Sequence, residues 1–309
     1  MGGFVIGIDV GGTKVALAAA DLAGRRLSES RFSVREAGDA QEVLTQTVRA
    51  AASLASRLAS RHGPLRAVAA VSPGIVEDEG IRLAPNIPGW ESIQLRRTLI
   101  KSLPADVVVV GTDAKAAALA EARHGTLAGL RCGVFLNLGT GTSAATVVDG
   151  QVLAGAHGAA GEIGYSLVSP TDPGYSADRA PLEECMSGAG LAARASRLLG
   201  EPLTAADVFA RASADHRLRE VLDEGLRVLG AHVAALVLAV DPARIAVGGG
   251  LAAAGNQLLD PLRATLRRAV PFPPELVIAR FTDDAPLAGA LLLALDAAHP
   301  ARPASEIPA

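Results

Sequence analysis

Two stretches of the chain repeat one pattern, an apolar run, a glycine-rich turn and a second apolar run. The first is Phe4-Val-Ile-Gly-Ile-Asp-Val-Gly-Gly-Thr-Lys-Val-Ala-Leu-Ala-Ala-Ala-Asp21. The second is Cys132-Gly-Val-Phe-Leu-Asn-Leu-Gly-Thr-Gly-Thr-Ser-Ala-Ala-Thr-Val-Val-Asp149. Apolar and β-branched runs bounded by glycine predict strand hairpins, and a further short strand near a glycine turn follows each (24–34 and 150–153). Ala and Leu then recur at helical spacing over 39–61. Short buried strands at 66–71 and 107–110 and a helix at 114–124 complete the first half. The second half repeats the order, with helices at 188–199 and 217–239, strands at 244–247 and 276–279, and a closing helix at 285–297. Strands and helices alternating in two similar halves predict an α/β protein. Two lobes are expected, a small one over 1–113 and a large one over 114–309, with the last helix returning to the small lobe. The hinge is expected near Thr112–Lys115, with both glycine turns at a central cleft.

Composition narrows the function classes. Half of the 309 residues are apolar and only 3% aromatic, which predicts a core of Ala, Val and Leu with few rings. A net charge of −3 gives no basic patch for nucleic acid, and no DNA-binding extension is expected before the first strand. The longest apolar run, Val233–Val240, falls far short of the ~20 residues that span a membrane. Met1–Val10 lacks a basic leader. Cys132 and Cys185 are the two cysteines, without a CxxC pair, so a reduced, cytoplasmic protein with free thiols is expected. Disorder is expected only in the Pro-rich tail, 298–309.

The candidate chemistry sits on the turns. In Asp9-Val-Gly-Gly-Thr-Lys14, a backbone lacking Cβ atoms at Gly11 and Gly12 can approach a phosphate, with Thr13 and Lys14 beside it. Asp9 could hold Mg²⁺ directly or through water. A plain hairpin explains this turn equally well when it is taken alone. Asn137-Leu-Gly-Thr-Gly-Thr-Ser143 adds Gly139, Thr140, Gly141 and Thr142. Two such turns facing one cleft point to a nucleoside triphosphate. Gly249 and Gly250, in Val247-Gly-Gly-Gly-Leu251, suit the approach of an adenine or ribose, or simply a flexible helix entry. Asp113 opens a helix at a strand end, where a base for a substrate hydroxyl is expected and where an N-cap aspartate is also common. Glu162 and Glu183 are further carboxylates, read either as sugar contacts or as solvated surface charges.

Together these segments resemble the ROK family of sugar kinases and repressors, members of the actin-like ATPase superfamily. The resemblance runs from Ile8 to about Ala297 and is most specific in Gly155-Ala-His-Gly-Ala-Ala-Gly-Glu-Ile-Gly164. It implies the ribonuclease H-like fold with duplicated βββαβαβα lobes. It also implies Asp113 as catalytic base, sugar contacts from Glu162, Glu183 and Asn86, ATP and Mg²⁺ as cofactors, and a homodimer.

Three departures stand out. Where the family has a His and a cysteine cluster that hold zinc, this chain has Tyr165, Gly174, Ser176 and Pro181. None is a normal zinc ligand, so no zinc is expected, and the 170–181 segment should be a mobile loop held by packing and turns. The family's Asn-Asp pair is Thr112-Asp113, and Lys115 replaces a second Asn. Lys115 is either a solvated helix residue or a cation acting on Asp113. Thr112 and Tyr165 are thus expected in the substrate pocket and favour a sugar other than plain glucose. The expected function is ATP-dependent phosphorylation of a hexose or amino-hexose at its 6-hydroxyl. A non-catalytic sugar or nucleotide sensor is the alternative.

Overall fold

The computed structural model describes residues 2–77, 79–84, 89–282 and 284–299. Asn86 and the tail from 300 onward lie outside them. In chain order the elements begin β1 (Phe4–Val10), β2 (Lys14–Asp21), β3 (Arg26–Ser33), α1 (Val34–Ala37), α2 (Ala40–His62) and β4 (Leu65–Ser72). They continue with the short β5 (Ile75–Val76) and β6 (Ile81–Arg82), then α3 (Leu95–Ser102), β7 (Val107–Thr112) and α4 (Asp113–His124). Next come β8 (Cys132–Leu138), β9 (Thr142–Val148), β10 (Gln151–Val152), α5 (Pro181–Met186), α6 (Gly188–Leu199) and α7 (Ala205–Arg211). The last are α8 (His216–Val240), β11 (Arg244–Gly248), α9 (Asn256–Ala269), β12 (Glu275–Ile278) and α10 (Ala285–Ala298).

The described residues form two compact units, one within 1–120 together with 284–299, the other within 121–283. Each holds a five-stranded sheet of the same plan, β3-β2-β1-β4-β7 in the first and β10-β9-β8-β11-β12 in the second. In both, the first three strands are antiparallel and the later ones join parallel. The fold is therefore α/β, built on one sheet pattern used twice.

In the first unit β1 is central, between β2 and β4, and all seven of its residues are buried. A strand covered on both faces must be apolar throughout, and Phe4-Val-Ile-Gly-Ile-Asp-Val is so except at Asp9. One face carries Phe4, Ile6 and Ile8 and packs under α2 through Val43, Leu44, Ala51 and Leu54. Asp39 caps α2, its side chain accepting from the Glu42 amide at 2.9 Å. The other face carries Val5, Ala16, Ala18, Ala67 and Ala69, and α10 lies on it through Leu287, Leu291 and Ala294. Those alanines leave a shallow surface onto which a nearly all-apolar helix fits. The chain's one tryptophan, Trp90, is fully buried and donates to Ser72 Oγ at 2.6 Å, fastening the segment after β6 to the end of β4.

In the second unit α8 and α9 cover one face of the sheet. Leu218, Leu222, Leu226, Leu229, Val233 and Val237 meet Leu258, Leu262 and Leu266 over Val134, Leu136, Ile245 and Val247. Glu121 is fully buried here. Its carboxylate accepts from the Thr126 amide (2.7 Å), the Thr126 hydroxyl (2.8 Å) and the Phe281 amide (2.8 Å). Three donors around one buried carboxylate satisfy it without a cation.

Among the described residues five helices, the short α1 and α5 together with α3, α7 and α9, have no counterpart among the elements the sequence pattern predicts. α9 contains Pro261, a residue that argues against a helix interior. Here Pro261 is inside the helix, and the apolar face of Leu258, Leu259, Leu262 and Leu266 outweighs it.

Candidate functional site

In the first unit the site residues stand at the carboxyl ends of β1 and β7. β4 lies between these strands, pairing Asp9 with Val71 and Ser72 with Thr112. The 11–13 turn closes by a bond from Gly11 N to the Lys14 carbonyl (2.9 Å) and is braced by Val34 N on the Thr13 carbonyl (3.0 Å). Asp9 is 9% exposed. Burial first, and then the nearby Asp113 charge, push its carboxyl up to about 7, with Lys14 acting in the opposite direction. Asp113 is half-buried and also raised, chiefly by desolvation. The Ala114 amide (2.7 Å from Asp113 Oδ1) and Lys115 partly oppose the shift. Thr112 is buried, and its hydroxyl accepts from the Lys115 amide at 3.4 Å, capping the start of α4.

Two desolvated carboxylates that repel each other make a place where a cation or a proton is stabilising. The fit to Mg²⁺ is good on the side of Asp9, an oxygen donor held at a strand end. Lys14 is exposed, so the positive charge on this turn is free to meet an anion.

The second unit brings together more of the predicted residues. Its turn closes by Gly139 N on the Gly141 carbonyl (3.0 Å). β11 pairs beside β8 with Gly248 opposite Asn137, which lays the 249–250 segment against the turn. Gly249 has φ +82°, and a Cβ there would sit 2.5 Å from the Leu138 carbonyl carbon. Only glycine permits both the conformation and the approach. Gly250 borders open space, so the backbone here is accessible to a ligand. Glu183 Oε2 accepts from the Thr142 amide at 2.8 Å. Gly161, at φ +89°, donates no side chain between its strand neighbour and the turn, and its carbonyl accepts from Ala144 N at 2.8 Å. That bond sets Glu162 and Tyr165 beside the start of β9. Asn86, the remaining predicted contact, lies outside the described residues.

The segment from 165 to 184 shows what stands at the positions where the resemblance placed zinc ligands. The rings of Tyr165 and Tyr175 meet edge to face, 5.8 Å between centroids at 78°. Asp172 accepts from Gly174 N (3.0 Å), Ser176 Oγ donates to the Pro173 carbonyl (2.7 Å), and Pro181 starts α5. Arg179 reaches both Glu184 (2.5 Å) and Asp172 (3.6 Å). Among the described residues no group of three or more His, Cys, Asp and Glu side chains is placed to hold a metal ion. No helix among them is long and apolar enough to cross a membrane.

A sheet plan used twice, each copy with a glycine turn between its first two strands, is the actin-like ATPase arrangement. The chain belongs to the ROK family, whose model matches residues 5–297. A glucokinase from Halalkalibacterium halodurans is 32% identical over 280 residues, covering 84% of this chain and 83% of that one. An N-acetylmannosamine kinase from Salmonella heidelberg is 32% identical over 300 residues, covering 94% and 97%. Among solved structures, a ROK family glucokinase from Streptomyces griseus in complex with glucose and AMPPNP has a TM-score of 0.74 at 28% identity, covering 95% of this chain and 99% of that one.

Sequence reasoning missed two contributors. One is the α5–α6 junction, which bonds to the second turn. The other is the Ser72–Trp90 pair beside Thr112. A signal for the first was present, since Met-Ser-Gly-Ala-Gly at 186–190 is a capped, glycine-rich helix start.

Proposed function

We propose that this protein is an ATP- and Mg²⁺-dependent kinase that phosphorylates a hexose or amino-hexose at its 6-hydroxyl, with Asp113 as general base. The observation that carries the reading is the pair of desolvated carboxylates, Asp9 and Asp113, at the strand ends beside the first glycine turn. The glucokinase and N-acetylmannosamine kinase relatives support the sugar class, and the AMPPNP complex of a relative supports the donor.

Asp113 accepts the proton of the sugar hydroxyl as its oxygen attacks the γ-phosphorus. The bond from that phosphorus to the bridging oxygen breaks, and ADP leaves with the electron pair. Desolvation strengthens Asp113 as a base, because its raised proton affinity matches the task better than an ordinary aspartate would. Asp9 would hold Mg²⁺, which when bound neutralises charge on the phosphates. Lys14 and the amides of Gly11, Gly12 and Thr13 add to that role, and Gly139–Thr142 with Gly249 and Gly250 receive the nucleotide. Positioning and charge neutralisation supply most of the acceleration in such transfers.

Thr112 bears on the choice of sugar. Its hydroxyl is already engaged at the start of α4, so less of its hydrogen-bonding capacity is left for a sugar hydroxyl than a free amide would offer. With Tyr165 also in place of an imidazole, the pocket favours an amino- or otherwise modified hexose, with Glu162 and Glu183 meeting its polar groups. A coupled ADP-release screen over hexoses, amino-hexoses and N-acetyl-hexosamines tests the reading, with the product position fixed by NMR. Sugar-dependent ADP release is expected. Its absence across the panel would overturn the proposal.

A further inference from the structure

Glu183 is expected, by resemblance, to serve the sugar. In the second unit its Oε2 accepts from the backbone amide of Thr142, at 2.8 Å. The same α5–α6 junction grips the turn at three more points. Thr142 Oγ1 donates to the Met186 carbonyl (2.7 Å), Gly188 N donates to the Gly139 carbonyl (2.7 Å), and Ala189 N donates to the Thr140 carbonyl (3.2 Å).

These bonds have a physical reason. The first amides of a helix have no partner within it. Ser187, fully buried, caps α6 by accepting from Gly190 N (2.9 Å), and the Gly188 and Ala189 amides are spent on the carbonyls of the turn. The start of α6 therefore holds the turn's backbone and is not itself open to phosphate. Gly139, Thr140 and Thr142 are each bonded to the junction. Gly141 is bonded within the turn, and a Cβ on it would collide with the Glu183 carboxylate. Among the four bonds, the one from Glu183 has a charged acceptor, and such bonds are about twice as strong as neutral ones.

We infer that Glu183 is a positioning residue for the nucleotide turn, fixing the Thr142 amide whether or not a sugar is present. This rests on the kinase reading, since it needs the turn to receive ATP. A residue that only contacts sugar has no effect on nucleotide binding when sugar is absent, and that difference makes the inference testable.

The experiment is calorimetric titration of Mg²⁺·AMPPNP into the sugar-free full-length protein, for wild type, Glu183→Ala, Glu183→Asp and Glu183→Gln. Ala removes the acceptor, and Asp keeps the charge but shortens its reach by one carbon. Both are expected to weaken binding about tenfold or more, the loss that follows removal of a bond to a charged group. Gln retains an acceptor oxygen at full length but loses the charge, so its affinity should fall between those of wild type and Ala. If Ala fails to fold, as judged by its melting curve, the contrast of Asp with Gln decides. Equal affinities across the series would overturn the inference and leave the kinase reading standing. Failure of the wild type to bind AMPPNP would instead overturn the kinase reading, and the inference with it.

Discussion

The two glycine turns occupy the same place in the same sheet plan, yet they are held differently and carry different chemistry. The first, between β1 and β2, is closed by its own backbone and braced at Thr13. It is flanked by charge, with Asp9 behind it, Lys14 in front and Asp113 two strands away. The second, between β8 and β9, has no charged residue of its own. It is fastened from outside by Glu183, Met186, Gly188 and Ala189, with Gly249 laid against it. Duplication of a fold thus fixes where a loop lies without fixing its task. The first copy has the two desolvated carboxylates to which the proposed mechanism assigns the cation and the proton. The second has the groups that hold a backbone still.

If that division is right, the heaviest losses come from the charged turn. Asp9→Asn is expected to cut turnover by about 10² or more at ordinary Mg²⁺, because a neutral amide is a poor ligand for a hard cation. Steady-state assays across a Mg²⁺ series check this. The same carboxyl has a pH signature. Its proton is held up to about 7 in the folded protein and released near 3.8 when unfolded. The folded state therefore binds the extra proton, so stability falls as pH rises from about 4 to 7 and is flat above. Denaturant midpoints of the Mg²⁺-free protein should show this fall, and Asp9→Asn should reduce it, leaving the part that the raised carboxyl of Asp113 contributes.

A smaller effect is expected on choice of substrate. Thr112→Asn should shift the kcat/KM ratio toward glucose by several-fold, because an amide both donates and accepts where the threonine hydroxyl is engaged by α4. Kinetics on glucose and an amino-hexose side by side check it, and an unchanged ratio removes Thr112 from the pocket.

The smallest effect belongs to the segment where the resemblance placed zinc ligands. Tyr175 is 64% exposed, and an edge-to-face ring pair is worth about 0.5–1.5 kcal/mol. Tyr175→Ala should therefore lower the melting temperature by only a few degrees, and Tyr175→Phe should not. The purified protein should contain no stoichiometric zinc, and a chelator should leave its melting temperature unchanged. One zinc per chain by elemental analysis would show that other residues have taken the ligands' place.

Much of this was legible in the sequence because local patterns decide it. The duplicated apolar-glycine-apolar runs at 4–21 and 132–149 dictate two equivalent hairpins whatever surrounds them, and the fold follows. Strand ends put Asp9 and Asp113 where a pattern reader expects them. The adjacency of Gly249 and the second turn was not legible, because it depends on β11 pairing with β8 across more than a hundred residues of chain. Nor was the bond from Glu183 to Thr142, since a carboxylate in sequence looks the same whether it meets a ligand or an amide of its own protein. α9 was hidden by Pro261. The edge-to-face contact of Tyr165 and Tyr175 was hidden because the pattern shows which ligands are missing and not what replaces them.

The central claim is that the chemistry of proton transfer rests on Asp113, and kcat of Asp113→Asn tests it most directly. A general base contributes typically ~10²–10⁴-fold, while Asp113 is the first residue of α4 and Thr112 caps it, so the exchange leaves the helix cap in place. The variant is expected to melt like wild type and to lose turnover by that factor on its best sugar. A folded Asp113→Asn protein with near-native kcat would contradict the account.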